Sequence, residues 1–403
     1  METKIEKGID KNINKSTSKN KPDKALTCPV AARCGGCEFQ GISYEEELKK
    51  KQAKVSSLLG KYAAVRPIIG MDNPFYYRNK VHHALARDKK GNIISGTYEA
   101  DSHRVVQVEE CMLEDLTCQK IIRKIREFLK SFKLLIYNED SGYGLVRHIL
   151  VRRGFSTGEI MVVIVTASVQ FPSRNNFTKA LRKEFPEITT VIQNINDRKT
   201  GMVLGTRNIT LYGPGFITDI LCGYKFRISP DSFYQINPVQ TEKLYQTAIE
   251  YAALTGKETV IDAYSGIGTI GISASKNAGK VIGVELNRDA VQDAIANAKA
   301  NHITNTRFYT GDAGDFMHKM AEHGEKADVV FLDPPRSGST VKFMDALVKL
   351  SPSRVVYISC NPQTQARDLK YLAEKGYAVR KVQPVDMFPR AGHTEVVVLM
   401  SRA

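Results

Sequence analysis

The rhythm of hydrophobic and polar positions changes near residue 230. From about Val65 to Ile228, short β-rich runs alternate with turns, and a helical pattern from Leu116 to Phe132 interrupts them. Beyond that point, apolar runs at 259–263, 281–285, 306–309, 328–332, 354–358 and 395–400 alternate with helical patterns. Strand–helix alternation over ~150 residues is typical of a parallel, doubly wound sheet. The predicted fold is therefore α/β, with a doubly wound parallel-sheet domain after a central α/β domain whose sheet is partly antiparallel.

The same pattern divides the chain into four predicted segments. Residues 1–24 are polar and Lys-rich, which predicts a disordered basic tail. Residues 25–60 hold a cysteine-rich stretch and a helix from Ser43 to Leu59, in which Ser43 and Glu46 have the spacing of a capping box. The central domain is predicted over 61–230 and the doubly wound domain over 231–403, with the boundary at Ile228-Ser-Pro-Asp231.

Composition narrows the class of protein. No apolar run approaches 18 residues and the first residues lack an apolar signal region, so we expect a cytoplasmic protein that does not enter a membrane. The net charge is +15, which favours a polyanionic partner such as RNA. No obligate protein partner is inferred. Seven cysteines without an export signal argue against a disulfide framework.

Two polar motifs follow predicted strands of the last domain. Cys360 lies in Ser-Cys-Asn-Pro after the run 354–358, and Asp333 begins Asp-Pro-Pro-Arg after the run 328–332. Open α/β sheets bind their ligands at the carboxyl ends of the strands. Cys360 is thus a candidate nucleophile, and the alternative is a thiol buried as a small hydrophobic side chain.

A glycine-rich turn at 262–271 indicates a nucleotide-like cofactor. Its Gly-x-Gly-x-x-Gly spacing, from Gly266, also fits a dinucleotide site. Asp262 in the same turn would repel a pyrophosphate but suits a cationic amino-acid ligand. Glu285 ends the next strand, where it can accept from two ribose hydroxyls, and Asp312 can accept from an adenine amine. Together these residues predict S-adenosylmethionine, against the alternative of ordinary exposed acids at strand ends.

Four motifs in order resemble the RNA uracil-5-methyltransferases. They are the segment from Gly223 to Tyr245, Asp333-Pro-Pro-Arg, Ser359-Cys-Asn-Pro and His393-Thr-Glu395, and the resemblance covers about residues 25–403. It implies an S-adenosylmethionine-dependent methyltransferase domain acting on a uridine in RNA. It also implies that six residues contact the cofactor: Gln235, Tyr264, Thr269, Glu285, Asp312 and Asp333.

Methylation of uracil at carbon 5 needs one nucleophile and one base. A thiolate that adds to carbon 6 creates carbanion character at carbon 5, and a base must later remove the carbon-5 proton so that the thiol can leave. Cys360 fits the first role, and Glu395 lies just before the last predicted strand. The resemblance assigns these two roles to the same two residues. Without it, Glu395 is equally an edge-strand carboxylate.

Three cysteines are clustered near the start of the chain. Cys28, Cys34 and Cys37 have the spacing C-x5-C-x2-C, and Cys111 follows much later. Four thiolates can hold Zn²⁺ or a [4Fe–4S] cluster, although zinc ribbons usually have two C-x2-C pairs. The set resembles that of the iron–sulfur members of the family, which implies a [4Fe–4S] cluster with a structural or RNA-binding role.

The same resemblance implies 23S ribosomal RNA as the substrate, because the cluster-bearing members mostly act there. Two alternatives stay open: a transfer-RNA uridine-5-methyltransferase, and a noncatalytic RNA-binding assembly factor. A DNA cytosine-5 methyltransferase would carry its nucleophile in a Pro-Cys pair, which Ser-Cys-Asn-Pro does not match.

Candidate RNA contacts combine aromatic and cationic side chains. The run from Phe75 to Lys80 offers rings for stacking and cations for phosphate, or equally a strand with a packed aromatic face. Further cations are expected to add to the RNA groove: Arg147-His148, Arg152-Arg153 and Arg336.

Overall fold

The computed structural model describes residues 28–99, 102–199 and 201–402, so the predicted basic tail lies outside the described residues. The helices of this part are α1 (Tyr44–Leu59), α2 (Leu116–Ser131), α3 (Arg174–Glu184), α4 (Pro238–Ala252), α5 (Thr269–Ala274), α6 (Arg288–Ala300), α7 (Ala313–Glu322), α8 (Val341–Leu350) and α9 (Pro362–Glu374). The strands of the first half are β1 (Lys80–Arg87), β2 (Ile93–Tyr98), β3 (Val105–Gln107), β4 (Val146–Arg153), β5 (Ile160–Thr166), β6 (Ile188–Ile195), β7 (Arg207–Tyr212), β8 (Ile217–Leu221) and β9 (Tyr224–Ile228). Those of the second half are β10 (Thr259–Asp262), β11 (Lys280–Glu285), β12 (Thr306–Thr310), β13 (Val329–Leu332), β14 (Arg354–Ser359), β15 (Tyr377–Val385) and β16 (Glu395–Arg402).

The second half of the chain forms a seven-stranded sheet in the order β12-β11-β10-β13-β14-β16-β15. The first five strands in that order are parallel, as their crossover helices require. The apolar runs of β10, β11, β13 and β14 are buried on both faces, which is the pattern of a sheet covered by helices on each side, whereas only Phe308 of β12 is buried. The predicted doubly wound domain is therefore confirmed for this part of the sheet.

The last two strands depart from the predicted alternation. β16 is antiparallel to both β14 and β15, so the run at 395–400 does not continue the parallel series. The sequence pattern also missed β15, because its polar centre at Arg380 and Lys381 hides the alternation. The two strands are joined by a loop instead of a helix, and a loop connection between neighbours produces antiparallel pairing.

The first half forms a second seven-stranded sheet, in the order β3-β2-β1-β4-β5-β6-β7. All its pairs are antiparallel except β5 with β6, which agrees with the predicted partly antiparallel sheet. Helices α2 and α3 pack on one face of this sheet and bury their apolar stripes there. The hairpin β8–β9 packs instead against α5 and α6, and its Phe226 is buried in a core that also contains residues of both sheets.

Helix α1 begins at the predicted capping box. The Ser43 hydroxyl accepts from the Glu46 amide, and the Glu46 carboxylate accepts from the Ser43 amide. Val55 and Leu59 of this helix are buried in the core that covers one face of the doubly wound sheet. The cysteine-rich segment is thereby tied to that sheet through the helix that follows it.

Within the described residues, no helix is both long and apolar enough to span a bilayer.

Gly283 in the centre of β11 has no room for a side chain. A Cβ at this position would collide with the ring of Phe308 in the neighbouring strand. We expect Gly283→Ala to lower the free energy of unfolding by about 1–3 kcal/mol, the usual cost of overpacking a core. Thermal melting checks this. Gly311→Ala is the control, since a Cβ there meets nothing within 4 Å; equal melting temperatures for the two variants would contradict the packing argument.

Candidate active site

Four chemically active side chains lie at one edge of the doubly wound sheet. Asp262 ends β10, Glu285 ends β11, Asp333 follows β13 and Cys360 follows β14. These four strands are parallel and lie next to one another in the order β11-β10-β13-β14. Their carboxyl ends therefore meet at the same edge, where α/β sheets hold their ligands.

The turn after β10 is organised by carboxylates. Gly266 and Gly268 adopt positive φ angles of 52° and 86°, which allow the chain to enter α5 at once. The Gly266 amide donates to Glu285 at 3.1 Å, and the Gly271 amide donates to Asp262 at 2.8 Å. The amides of this turn that would bind a pyrophosphate already donate to carboxylates. This argues against a dinucleotide site.

Two of the acids at this edge titrate far above their ordinary range. Burial, with a smaller contribution from the Glu285 charge, raises the pKa of Asp262 to about 7. Burial and the Asp262 charge raise the pKa of Asp333 to about 7 as well. No Lys or Arg of the described residues lowers the pKa of either acid. A cationic ligand at this edge would be stabilised by both carboxylates.

Each of the other four expected cofactor residues has different neighbours in the structure. The Tyr264 ring packs on Phe343 with the ring centroids 5.3 Å apart. The Thr269 hydroxyl lies 3.0 Å from the Tyr245 hydroxyl, at the start of α5. Asp312 is exposed and caps α7. Gln235 is buried in the segment before α4. All four lie in the doubly wound half of the chain.

Cys360 and Glu395 lie at the end of one strand pairing. Ser359 of β14 pairs with Val396 of β16. Because the two strands are antiparallel, Cys360 after Ser359 lies opposite Glu395 before Val396. Glu395 is only 4% exposed, and its Oε2 atom has no hydrogen-bond partner among the described residues. An unpaired buried carboxyl oxygen is costly, and a ligand that reaches it would relieve the cost.

The acidic and the cationic groups around this pair shift the pKa values of Cys360 and Glu395 in opposite directions. Burial and then the charges of Glu395 and Asp333 raise the pKa of Cys360 to about 11, while Arg336 lowers it. Burial and the Asp333 charge also raise the pKa of Glu395, and Arg336 again lowers it. Cys360 is therefore a protonated thiol at neutral pH, and added positive charge favours its thiolate.

Several expected RNA contacts are not available to RNA. Arg152 is 1% exposed, and its guanidinium donates to the carbonyls of Ser229 and Ser232. Arg147 and His148 are also buried. The prediction that these three side chains line an RNA groove is wrong, because their charged or polar groups lie inside the protein.

In the run from Phe75 to Lys80 only Tyr76 is exposed, and the other positions are half-buried or buried. Tyr76 is 44% exposed, while Tyr77 is buried and donates its hydroxyl to the Pro389 carbonyl. Arg336 is exposed beside Cys360 and Glu395. The sequence analysis missed Phe233, which is 69% exposed two residues before Gln235. The signal for Phe233 in the sequence was the Phe-Tyr pair between the polar residues of Asp231-Ser-Phe-Tyr-Gln235.

The four cysteines of the expected metal site are half-buried and have free thiols. Burial raises the pKa of Cys37, and the charges of Cys34 and Cys28 add to the effect. Burial raises the pKa of Cys111 to about 12, with a smaller contribution from Cys37. The thiols are thus near enough to interact. Across residues 28–99, 102–199 and 201–402, however, no group of three or more His, Cys, Asp or Glu side chains is arranged to hold a metal ion.

Comparisons with known proteins identify the family of the chain. The family model described as tRNA (Uracil-5-)-methyltransferase matches residues 217–403. An uncharacterized RNA methyltransferase of Clostridium acetobutylicum is 42% identical over 97% of this chain and 85% of its own length. Another, from Caldanaerobacter subterraneus subsp. tengcongensis, is 44% identical over 93% of this chain and 84% of its own.

Among solved structures, the chain is similar to the Pyrococcus abyssi tRNA (uracil-54, C5)-methyltransferase in complex with S-adenosyl-L-homocysteine. The TM-score is 0.76 at 27% identity, covering 91% of this chain and 86% of that one. The fold and the acidic edge of the sheet define an S-adenosylmethionine-dependent methyltransferase. The chain belongs to the RNA uracil-5-methyltransferase family.

The raised pKa of Cys360 predicts how fast this thiol reacts with iodoacetamide. With a pKa near 11, the thiolate fraction and the alkylation rate should rise about tenfold per pH unit between pH 7 and 9. Removing a nearby cation disfavours the thiolate, so Arg336→Gln should react more slowly at every pH, most clearly at low salt. Mass spectrometry of the Cys360 peptide measures the rate.

Arg402→Gln is the control, because this exposed arginine ends β16 at the opposite edge of the sheet. It should react like the unmodified protein. A rate that is flat from pH 7 to 9 would mean that the thiolate is already formed and that Cys360 has a low pKa.

Proposed function

We propose that this protein transfers a methyl group from S-adenosylmethionine to carbon 5 of a uridine in RNA, with 23S ribosomal RNA as the substrate. The observation that carries the proposal is the pair formed by Cys360 and Glu395 at the end of the β14–β16 pairing. A thiol nucleophile and a buried carboxyl base are the two groups that carbon-5 methylation needs, and they lie beside the acidic edge of the sheet.

The acidic edge suits a cationic cofactor. S-adenosylmethionine supplies a methyl group on a positively charged sulfur and also carries an ammonium group. Asp262 and Asp333 both have their pKa raised to about 7 by burial and by neighbouring acids. A Cβ at Gly266 would meet nothing within 4 Å, so the turn leaves open space beside these acids.

Each expected cofactor residue receives a role from its chemistry. Glu285 at the end of β11 accepts from the ribose hydroxyls, and exposed Asp312 accepts from the adenine amine. Asp333 faces the cationic end of the cofactor. The remaining members of the proposed set supply an amide, a ring and a hydroxyl group to the walls of the cofactor site: Gln235, Tyr264 and Thr269.

The proposed reaction uses the protein's own groups in sequence. The Cys360 thiolate adds to carbon 6 of the uracil, and the ring electron pair moves toward carbon 5 and the carbon-4 oxygen. Carbon 5 would then form a bond to the methyl group as the bond from that methyl group to the donor sulfonium breaks, which leaves a neutral thioether as the second product. Glu395 removes the carbon-5 proton, the carbon 5–carbon 6 double bond re-forms, and the Cys360 thiolate leaves.

Both groups react in their deprotonated form, whereas the burial and the neighbouring acids around them favour the protonated form. The raised pKa values of Cys360 and Glu395 keep each protonated more readily than usual. Arg336 lowers both values, and a cationic ligand beside Asp333 acts in the same direction. The site therefore becomes reactive when positive charge is added to it.

RNA contacts in this proposal come from exposed groups near the site and from the central domain over 61–230. Phe233 and Tyr76 offer rings on which an unpaired base can stack, at 69% and 44% exposure. Arg336 offers a cation for phosphate next to the reacting pair. The target uridine must be flipped out of any helix to reach Cys360.

The proposal includes a [4Fe–4S] cluster held by four cysteines. Cys28, Cys34 and Cys37 lie in the segment 25–60, and Cys111 is the distant fourth ligand. Support comes from four half-buried thiols whose charges interact. A cubane also holds its thiolates farther apart than a single metal ion does. No step of the methyl transfer requires it, so its role is structural or RNA-binding.

Transfer RNA is the second candidate substrate. The observation that favours it is the structural similarity to the Pyrococcus abyssi tRNA (uracil-54, C5)-methyltransferase. The 23S proposal depends instead on the cysteine set, through the resemblance to cluster-bearing members of the family.

The covalent intermediate tests both the mechanism and the substrate. RNA with 5-fluorouridine at the target has no carbon-5 proton for Glu395 to remove, so the adduct through Cys360 should persist after methyl transfer. Substituted 23S and transfer-RNA transcripts are incubated with the protein and run on denaturing gels. We expect a stable complex with 23S RNA, whose mass equals protein plus methylated RNA.

Two variants separate the roles. Cys360→Ala should form no adduct, whereas Glu395→Gln should accumulate the adduct even on ordinary uridine RNA, since addition proceeds and elimination stalls. If Cys360→Ala keeps methylation within about tenfold of the unmodified protein, a barrier change under ~1.4 kcal/mol, the thiol is not the nucleophile. Trapping of transfer RNA alone would replace the 23S proposal, and trapping of neither RNA would favour a noncatalytic factor.

The cluster has its own test. Protein purified without oxygen should contain about four irons per chain, the content of a cubane held by four cysteines. Cys34→Ser should lose the iron, while Cys222→Ser, a half-buried thiol outside the set, should keep it. One zinc per chain and no iron would contradict the cluster. The measurement is metal analysis, which does not depend on activity.

A further inference from the structure

The loop between β15 and β16 leads directly to Glu395, and the backbone of its first five residues is held by hydrogen bonds from other elements. We call residues 386–394 the base loop. Each of its first five carbonyl oxygens accepts a hydrogen bond from outside the loop, and the donors come from four parts of the chain. The donors are Gln240 to Asp386 at 3.0 Å, Asn237 to Met387 at 2.9 Å, Lys51 to Phe388 at 3.0 Å, Tyr77 to Pro389 at 2.9 Å, and the amides of Glu38 and Phe39 to Arg390 at 2.9 and 3.1 Å.

Lys51 is the charged centre of this arrangement. It is 1% exposed, and its ammonium group contacts Glu47 at 2.8 Å, Asp386 at 2.6 Å and the Phe388 carbonyl. Three acceptors match the three donors of an ammonium group. Asp386 also accepts from the Tyr44 hydroxyl at 2.7 Å. Helix α1 therefore holds the base loop through a fully buried, fully bonded cation.

The charges of this network balance. Glu47 and Asp386 are both fully buried acids, and Lys51 and Arg390 are the buried cations beside them. The Arg390 amide also donates to Glu47 at 2.7 Å. The acids and cations come from α1 on one side and from the base loop on the other, so the network exists only when the two are in register.

Such a network is poor evidence for added stability. Burying charges costs free energy that their attraction seldom exceeds, and an apolar replacement of similar volume often serves folding as well. What buried ion pairs supply in some proteins is a single geometry. A loop that ends at a proposed catalytic base is a place where one geometry matters, because misplacement of a reacting group by about 1 Å can cost 10²-fold in rate.

We infer that Lys51 is a positioning residue for the proton-removal step: it fixes the base loop through Asp386 and Phe388 and so sets the place of Glu395. The inference depends on the proposed function, in which Glu395 takes the carbon-5 proton. It predicts a specific defect when Lys51 is changed, because addition by Cys360 and methyl transfer precede the step at which Glu395 acts.

Lys51→Met keeps the length and apolar stem of the side chain but removes the ammonium group. In this variant kcat should fall at least tenfold while kcat/KM for RNA and for S-adenosylmethionine stays within about threefold, because the slowed step follows irreversible methyl transfer and KM falls together with kcat. The covalent adduct should accumulate on ordinary uridine RNA, as in Glu395→Gln. Lys49→Met is the matched control, since Lys49 lies on the same helix with its side chain 72% exposed. It should turn over normally and accumulate no adduct.

A second pair of variants serves if Lys51→Met does not fold. Tyr77→Phe removes only the hydroxyl that donates to Pro389 in the base loop. Tyr377→Phe removes an equally buried hydroxyl that donates to Pro352, before β14 and at the opposite end of that strand from Cys360. We expect adduct to accumulate with Tyr77→Phe and not with Tyr377→Phe.

The outcomes separate this inference from the proposed function. If Glu395→Gln itself accumulates no adduct, the proposed role of Glu395 fails. If Glu395→Gln accumulates adduct but folded Lys51→Met or Tyr77→Phe does not, the role of Glu395 stands and the positioning inference is wrong. A loss of activity in Lys51→Met with no adduct would also overturn the inference, since it would mean that addition, not proton removal, depends on the network.

Discussion

Antiparallel pairing of β16 with β14 is the constraint on which the proposed chemistry depends. The preceding strands of the sheet are parallel, and a further parallel strand would have put its carboxyl end, and not its amino end, at the ligand edge. Because β16 runs the other way, Glu395 at its start lies level with Cys360 at the end of β14. One reversal of strand direction thus brings together two groups from separate motifs.

Burial gives this edge its electrostatic character. Asp262, Asp333, Cys360 and Glu395 all have raised pKa values, and burial is the largest cause in each case. A thiol with a pKa near 11 is a weak nucleophile in the absence of ligands. The same property protects it, because oxidation and adventitious alkylation both proceed through the thiolate. In the proposed mechanism, cationic groups at this edge would shift Cys360 toward the reactive thiolate.

Sequence patterns were sufficient wherever the structure is determined locally. The capping box at Ser43 and the strand ends carrying Asp262, Glu285 and Cys360 follow from short-range chemistry and from the period of the apolar residues. They failed where burial depends on distant partners. Arg152 has the composition of an RNA contact, but two carbonyls about eighty residues away hold it inside the protein.

The base loop shows the same limit in a stronger form. Its five tethered carbonyls are invisible in the sequence, because backbone oxygens carry no residue identity and their donors lie in four separate parts of the chain. Lys51 on α1 looks like any other lysine of an amphipathic helix. Only the folded arrangement distinguishes it from Lys49, which is two residues away and exposed.

The contacts between α1 and the base loop also join the two ends of the polypeptide. Lys51 and Asp386 are separated by 335 positions, and Tyr44 and Asp386 by 342. Contacts of such long range close the largest loops in the chain, and their entropy cost makes them slow to form. During synthesis the early helix must wait for nearly the whole chain to emerge before its partner exists. The bonds from α1 therefore cannot support the base loop until Asp386 and Phe388 have been synthesised, and a chain that ends before them lacks these bonds.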